Sequence, residues 1–207
     1  MSTTILIILV TVAISIAALG NERLYLRFLM NPYRAIEGKE PWRFITSGFI
    51  HNGYIHLGFN MFTFFFFGQV VENIFEQVLF EKASLTYILF YLSAIVISDL
   101  PVAIKNRQNP GYNSLGASGA VSAIVFCSIL FFPLNKICLY GLLCLPGFIL
   151  GLIYVIYSYW QGKNAAWDNV NHEAHLYGAL YGLVFGLIIY PQAGPSFLDQ
   201  ILNYRFI

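Results

Sequence analysis

Charge is scarce in this chain. Only 10% of its 207 residues are Asp, Glu, Lys or Arg, whereas an ordinary soluble domain carries about 25%. A soluble protein of this length could not cover its surface with so few charges and would expose large apolar patches. The scarcity therefore argues against a cytosolic enzyme and against a disordered chain. With 11 basic and 10 acidic residues, the chain also lacks the basic field that nucleic-acid binding requires.

Cysteine is scarce too, because the chain has only Cys127, Cys138 and Cys144, all in or beside apolar runs. Their spacing predicts neither a metal site nor a disulfide framework. No internal repeat or low-complexity linker is visible, so residues 1–207 are expected to form a single domain. Apolar residues are abundant, at 58%, with 19 Phe and 14 Tyr. This composition predicts a polytopic membrane protein of the all-α class.

Six apolar stretches approach the roughly 20 residues that a helix needs to cross the hydrocarbon of a bilayer. In chain order they cover residues 4–19, 54–71, 85–100, 117–132, 137–159 and 172–190. Pro146 and Gly147 predict a bend in the fifth stretch. The expected fold is a bundle of six transmembrane helices, followed over 192–207 by a pattern that suggests a short surface helix.

The segment 21–50 differs from its surroundings, because it holds five of the eleven basic residues with aromatic residues between them. Such a segment is predicted to lie amphipathically in the membrane interface; the alternative is an unstructured loop. Eight basic residues lie on the side of loops one, three and five and three on the other, which by the positive-inside rule puts both termini outside. Five of those eight belong to this one long segment, where charges mark orientation poorly.

Polar groups at membrane depth are costly, and they therefore mark function by default. Four places in the apolar stretches carry them: His51, His56 and Asn60; residues 116–119; His172, Glu173 and His175; and Glu72. Each has a structural alternative, since buried histidines often only pack, and Glu72 near a helix end fits a structural hydrogen bond better than catalysis. His172 and His175 are three residues apart and not four, so the zinc-protease motif fails and no metal site is predicted.

Ser118 lies where a glycine-rich loop enters the fourth stretch. Gly116 and Gly119 let the backbone approach closely beside it, and the first N–H groups of a helix have no intrahelical partner and can hold an oxyanion. The helix from Ser118 to Phe132 is about 8 Å too short for the hydrocarbon, which predicts a water-filled recess around Ser118. The alternative is that Ser118 is only an N-cap.

His175 is the better base for Ser118 among the histidines. Small residues recur every fourth position from Ala174, just before His175, and a second small-residue pair follows Ser118, so two close-packing ridges are predicted. The ridge positions are Ala174, Gly178, Gly182 and Gly186 on one helix and Gly119 and Ala123 on the other. Packing these ridges together would bring Ser118 and His175 near hydrogen-bonding distance, although ridges of this kind also serve packing alone.

Five motifs in this order resemble the rhomboid family of intramembrane serine proteases over nearly the whole chain. They are Glu40-Pro41-Trp42-Arg43, His51 with His56 and Asn60 (His-x4-His-x3-Asn), Gly68 with Glu72 (Gly-x3-Glu), Gly116-Ala117-Ser118-Gly119 (Gly-x-Ser-Gly), and Ala174-His175 with Gly178 and Gly182 (Ala-His-x2-Gly-x3-Gly). Each motif is weak alone, but the order and the positions at the ends of the stretches make the set specific.

The resemblance implies a dyad with Ser118 as nucleophile and His175 as base and acid, without a third carboxylate or a cofactor. It implies that His56 and Asn60, with the backbone around Gly116 and Ser118, hold the oxyanion, and that His51 is structural. Spans two and five, with the loop after span five, would form the side where substrates enter. The partners implied are transmembrane protein substrates and membrane lipid, and no oligomeric state is predicted.

The resemblance also implies a cytosolic N-terminus and an active site that opens to the outside of the cell (inner) membrane, against the plain count of basic residues. One departure is Ser122, because many rhomboids carry at this position a Tyr that stacks on the catalytic histidine. Ser122 leaves the His175 ring less constrained, or leaves room for another aromatic such as Tyr177. The alternatives are an inactive rhomboid-like protein that binds transmembrane helices, and a channel or transporter, for which the third and fifth stretches offer too few polar residues.

Overall fold

The computed structural model describes residues 2–139, 143–164 and 170–205. Over these residues the protein is mostly helical, with two short 3-10 turns, Ser47–Phe49 and Phe80–Lys82, and a hairpin of strands β1 (Lys136–Leu139) and β2 (Leu143–Pro146). The α-helices are α1 (Thr3–Leu19), α2 (Glu22–Phe28), α3 (Pro32–Ile36), α4 (Arg43–Thr46), α5 (Tyr54–Leu79), α6 (Ala83–Lys105), α7 (Ser118–Phe131), α8 (Gly147–Lys163), α9 (His172–Ile189) and α10 (Ala193–Leu202).

Helices are confirmed in the first, second, third, fourth and sixth predicted stretches, and α5 and α6 run on to Leu79 and Lys105. By length and composition, the stretch Tyr54–Lys105, which contains α5 and α6, could cross a membrane. So could α9 and α10 taken together, although the chain bends by 115° between them; α1 and α7 are apolar but shorter. One or two clear spans follow from the described residues, and the count of six stays a prediction.

The predicted fifth span is wrong over its described residues before Gly147. Residues 136–139 and 143–146 form the antiparallel strands β1 and β2, and the helix begins only at Gly147, while residues 140–142 of the predicted span lie outside the described residues. The predicted bend at Pro146 and Gly147 is instead the start of α8, with Pro146 as its N-cap residue. Proline cannot donate the backbone hydrogen bond of a helix interior, so a helix that contains it most easily starts there.

The expectation that the cysteines form no disulfide is wrong as well. Cys138 and Cys144 stand directly opposite each other in the hairpin and are joined by a disulfide bond. Cys127, on α7, is free and buried. The spacing of Cys138 and Cys144 suits a tight hairpin. The disulfide was not predicted because this stretch was interpreted as a helix.

The segment 21–50 is folded, which excludes the unstructured alternative. It forms α2, α3, α4 and the first 3-10 turn, and buried Arg43 holds the segment together. The guanidinium of Arg43 donates to the carbonyls of Leu26 (2.9 Å) and Leu29 (2.6 Å) and pairs with Glu40. Arg43, which the sequence suggested as one of several interfacial cations, is therefore a buried residue whose hydrogen bonds link parts of the segment.

Helix α7 is the centre of the fold. It packs on α5, α6, α8 and α9, and most of its residues are buried. A cluster of fully buried aromatic side chains fills the space between the neighbouring helices α5 and α6: Phe64, Phe75, Tyr87, Phe90 and Tyr91. The start of α7, where the glycine-rich loop enters, is thereby held on several sides.

The predicted ridge packing between α7 and α9 is confirmed. A Cβ added to Gly178 would collide with the backbone carbonyl of Gly119, and one added to Gly182 would collide with that of Ala123. Only glycine allows the two backbones to come this close. The contact fixes the height of α9 against α7 and so the position of the first turn of α9 relative to Ser118.

Candidate active site

Ser118 is the first residue of α7. The preceding Gly116 has φ = +112°, a conformation that side chains other than hydrogen rarely allow, and its N–H donates to the Ser47 carbonyl (2.9 Å). Ala117 is the N-cap residue, and among the described residues no side chain caps this helix start. The Ser118 hydroxyl is therefore not used as a cap, and the first N–H groups of α7 have no partner within the helix.

The Ser118 hydroxyl and the His175 imidazole lie within hydrogen-bonding distance, with 2.7 Å between Oγ and Nε2. His175 is in the first turn of α9, whose N-cap Asn171 accepts from the Ala174 N–H (3.0 Å). The Asn171 amide in turn donates to the Asp99 carboxylate on α6 (3.2 Å). The cap and the glycine ridge together fix where His175 stands, and Asp99 and Asn171 are supporting residues that sequence reasoning did not identify.

His56 and Asn60 lie at the start of α5, beside the same loop. A Cβ on Gly116 would lie only 2.8 Å from the His56 ring, so the imidazole packs directly on the loop that precedes Ser118. His56 Nδ1 is 2.9 Å from Asn52 Oδ1, and the Asn60 amide donates to the His56 carbonyl (3.0 Å). Among the described residues no hydrogen bond joins His56 or Asn60 to Ser118, although both stand on the face of α5 nearest to Gly116.

His51 is fully buried beneath the loop and links it to α1. Its Nδ1 lies 3.0 Å from the Ser15 hydroxyl, and its Nε2 accepts from the Ala117 N–H (3.4 Å). A ring nitrogen that accepts a backbone hydrogen bond is unprotonated, so Nδ1 carries the proton of the neutral ring. Burial, with the neighbouring His56 as a second cause, lowers the pKa of His51 to about 3.

Tyr154 on α8 occupies the place where an aromatic residue was expected near Ser122. The Tyr154 and Ser122 hydroxyls share a 2.6 Å hydrogen bond, and the Tyr154 ring lies nearly parallel to the His175 ring, with 6.3 Å between centroids and 17° between planes. Tyr177, which the sequence suggested, is instead 38% exposed. Sequence reasoning missed Tyr154; the available signal was a tyrosine hydroxyl in an apolar stretch, which needs a buried partner.

The His172–Glu173–His175 group does not form a metal centre in this arrangement. Glu173 pairs with Lys105 (2.7 Å), while the His172 and His175 rings stand 6.0 Å apart and nearly perpendicular. Within residues 2–139, 143–164 and 170–205, no group of three His, Cys, Asp or Glu side chains is placed to hold a metal ion.

A small polar cavity lies behind Ser118, where α6, α7 and α9 meet. Its lining includes Ser98, Asp99, Ser114 and Asn171 as well as Ser118 itself. The cavity puts these polar groups next to Ser118. A water molecule held there would have several hydrogen-bonding partners, as buried waters require.

Glu72 lies far from this site, near the C-terminal end of α5. Its carboxylate accepts from the Ser2 hydroxyl (2.6 Å) and from the backbone N–H groups of Thr3 and Thr4 at the start of α1. The structural role that the sequence favoured for Glu72 is confirmed. Loop five, predicted to border the substrate path, falls largely on 165–169, outside the described residues, as does Phe206 of the C-terminal pattern.

Comparison with known proteins gives one match. A family model described as the Rhomboid domain matches residues 38–192, about three quarters of the chain. The matched region contains Ser118, His175, His56, Asn60 and Tyr154. No curated protein matches the chain.

Proposed function

The chain belongs to the rhomboid family, whose members are generally intramembrane serine proteases, and on this premise we propose that it is an intramembrane serine endopeptidase. It would cut single-pass transmembrane proteins by acyl transfer. The observation that carries the proposal is the pairing of Ser118 Oγ with His175 Nε2 at 2.7 Å, at a helix start with no side-chain cap among the described residues. A nucleophile within reach of its base is what serine catalysis requires.

We propose that residues 1–207 form one multi-pass domain with six spans in the cell (inner) membrane. Support comes from α7, which at 14 residues rises about 21 Å, less than the roughly 30 Å of hydrocarbon. If its far end reaches one membrane surface, Ser118 lies below the other. The polar residues around Ser118 then line a recess that water can enter, as irregular backbone at membrane depth requires.

The proposed reaction begins when Ser118 Oγ attacks the carbonyl carbon of the substrate and its proton passes to His175 Nε2. The tetrahedral intermediate collapses as His175 returns that proton to the leaving amine, and an ester to Ser118 remains. Water then attacks the ester, with His175 again taking the proton, and the acid product leaves. The polar cavity that Ser118 lines supports this second step, because it offers water a place next to the residue that carries the ester.

The oxyanion of the intermediate would be held by N–H groups at the start of α7 and by the His56 and Asn60 side chains. For a neutral His56 to donate from Nε2, its Nδ1 must accept a hydrogen bond, so the Asn52 amide must turn its NH₂ group toward the ring. A half-turn of the amide achieves this with almost no change of shape. Asn52 is therefore proposed to set the His56 tautomer.

We propose that substrates reach Ser118 between α5 and α8. The outer faces of both helices carry large, exposed apolar side chains, suited to lipid and to another transmembrane helix: Ile55, Phe59, Phe62, Leu152 and Ile156. A substrate must present extended backbone to Ser118, so a locally unstable helix is the expected substrate, and the family suggests small residues at the cut.

A serine-directed phosphonate probe tests this proposal on the purified full chain. We expect the probe to label the parent protein and to lose its labelling in Ser118→Ala, with His175→Ala slower by about 10⁴-fold or more, since neither dyad member works alone. Ser128→Ala is the matched control, because Ser128 is a buried serine on the same helix, near its other end. Cleavage of a single-pass model substrate in detergent should follow the same order.

Equal labelling of the parent protein and Ser118→Ala would remove the enzymatic proposal and favour a non-catalytic protein that binds transmembrane helices. Cleavage that stops when a chelator is added would instead contradict the metal-free dyad.

A further inference from the structure

The side chain that packs on the proposed base comes from α8 and not from the helix that carries the nucleophile. Tyr154 lies in the middle of α8, with its ring nearly parallel to His175 and 5.5 Å from the Phe126 ring of α7, measured between centroids. Its hydroxyl bonds Ser122, one helical turn after Ser118. Tyr154 therefore contacts both α7 and α9 next to the dyad.

The two contacts of Tyr154 define both the position and the tilt of its ring. The 2.6 Å hydrogen bond to Ser122 fixes the hydroxyl end, and the Phe126 ring packs against the tyrosine ring at an angle of 48°. A ring held at two points limits rotation of the parallel His175 imidazole toward α8. Ser122 cannot do this alone, because its hydroxymethyl group is too short to cover the imidazole from α7.

Helix α8 meets the rest of the protein mainly through α9 and α7, and its opposite face is open. Gly147 and Gly151 let α8 approach the Ile129 side chain of α7 closely, whereas Leu152 and Ile156 are 61% and 59% exposed. Near the dyad, the Tyr154–Ser122 hydrogen bond is a polar contact between α8 and α7. A shift of α8 away from α7 and α9 would thus remove the Tyr154 ring from His175.

We infer that Tyr154 is the positioning residue of His175, so that the packing of α8 controls the orientation of the catalytic base. The inference rests on the proposed protease function. Because α8 is also one wall of the proposed substrate path, a substrate that displaces α8 meets a base without its supporting ring. Proton transfer then proceeds only after α8 has closed back against α7, and substrate admission and catalysis alternate.

Steady-state cleavage of a single-pass model substrate in detergent tests the inference through the separation of kcat from KM. Tyr154→Leu removes both the ring and the hydrogen bond, and we expect kcat to fall by about 10- to 100-fold with KM within about twofold. Tyr154→Phe keeps the ring and loses only the hydroxyl contact, so a fall of about two- to fivefold is expected. Ser122→Ala should match Tyr154→Phe, because it removes the other half of the same hydrogen bond.

A variant that supplies the aromatic ring from α7 instead of α8 makes the test specific to the ring. Ser122→Tyr combined with Tyr154→Leu places an aromatic residue one turn after Ser118, and we expect this double variant to recover most of the lost kcat. Tyr159→Leu is the matched control, the same change on an exposed position of α8, and should keep the parent kcat. Thermal unfolding of each variant shows whether a loss is merely structural.

The outcomes distinguish a failure of the positioning role of Tyr154 from a failure of the proposed protease function. An active parent protein with unchanged kcat in Tyr154→Leu overturns the positioning role and leaves the protease intact. Equal losses in Tyr154→Leu and Tyr154→Phe, or failure of the double variant to recover kcat in a folded protein, overturn the ring as the cause. A parent protein that neither cleaves nor labels overturns the proposed function, and the positioning role with it.

Discussion

At the scale of single residues, two histidines support the Ser118 loop from different sides. Their rings are 4.9 Å apart and nearly perpendicular, at 74°. His51 is buried and accepts the Ala117 N–H, whereas the His56 ring packs on Gly116. One therefore holds the loop in shape, and the other faces the space where a substrate carbonyl would sit.

The protonation of His51 predicts a loss of stability in acid. The pKa of His51 is about 3 in the folded protein and about 6.5 in an unfolded chain, so between these values the unfolded state binds more protons. Stability from His51 is therefore full above about pH 6.5 and falls as the pH drops toward 3, by up to about 1.4 kcal/mol per pH unit. Thermal unfolding in detergent across this range measures the effect.

His51→Asn supplies the comparison, since it cannot titrate but keeps a polar side chain. This variant should be less stable than the parent protein near neutral pH, because it loses the Ser15 and Ala117 contacts. The difference between the two should shrink as the pH falls, because only the parent protein loses the His51 contribution. Two parallel curves would show that His51 does not titrate in this range.

His56 is predicted to act on the transition state and not on binding. Removing one oxyanion donor typically lowers kcat by about 10²- to 10³-fold, so His56→Ala should reduce kcat to that extent and leave KM nearly unchanged. Asn60→Ala should also lower kcat, and Asn106→Ala is its matched control, because Asn106 likewise donates to the carbonyl four residues earlier, on α6. Equal kcat in Asn60→Ala and Asn106→Ala would assign Asn60 to helix structure only.

Sequence reasoning identified Ser118 and His175 because polar groups are rare in apolar helices and their spacing from glycines suggested close packing. It missed Tyr154, because its role arises only when α8 packs on α7 and α9, and periodicity within one helix does not show that contact. It also placed Arg43 among surface cations, since the carbonyls of Leu26 and Leu29 that hold it come from an earlier helix.

At the scale of elements, the glycine ridge between α7 and α9 is the contact that brings the dyad together. Gly182→Ala would drive a methyl group against the Ala123 carbonyl, and backbone adjusts less readily than a side chain. We expect a cost of about 1–3 kcal/mol and slower phosphonate labelling, because α9 must move away from α7 and carry His175 with it. Thermal unfolding and labelling rates measure both.

Gly58→Ala is the matched control for the ridge. Gly58 is also in a helix, but a Cβ there has no neighbour within 4 Å, so alanine should stabilise α5 by up to about 1 kcal/mol through helix propensity. If Gly182→Ala and Gly58→Ala behaved alike, the close approach of α7 and α9 would not be maintained in the protein.

The hairpin of β1 and β2 is an element that the pattern of apolar residues does not predict. A short apolar run suits a buried helix and a strand equally well, and periodicity alone does not separate them. Pro133 and Pro146 bracket the run and were the better guide, since each interrupts a helix. The helical ends predicted elsewhere are accurate to within one residue where a cap or a proline marks them, as at Leu19 and at Phe131, one residue before the predicted end at 132.

At the scale of the whole molecule, the helices place the start of α1 and the helix α10 at the end opposite to the dyad. Glu72, near the end of α5, binds the start of α1, whereas Ser15, near the end of α1, bonds His51 just before α5. The loop 106–114 meets the segment 21–50 beside Ser118, through the Met30–Ser114 backbone pair. Helix α9 then leads away from His175, so α10 lies at the end that Glu72 marks.

This arrangement predicts how a membrane would divide the molecule. If the N-terminus is cytosolic, as the resemblance to the rhomboid family implies, the loop 106–114 faces outside and α10 faces the cytosol. Gln108→Cys and Ser196→Cys place single exposed thiols on these two parts. In intact cells, a membrane-impermeant thiol reagent should modify Gln108→Cys at once and Ser196→Cys only after lysis.

The parent protein is the control, because Cys127 is buried and Cys138 and Cys144 are paired. Reversed labelling would show that the active site faces the cytosol, as the count of basic residues suggests. Labelling of both thiols from one side would contradict the placement of the loop 106–114 and α10 at opposite ends of the molecule.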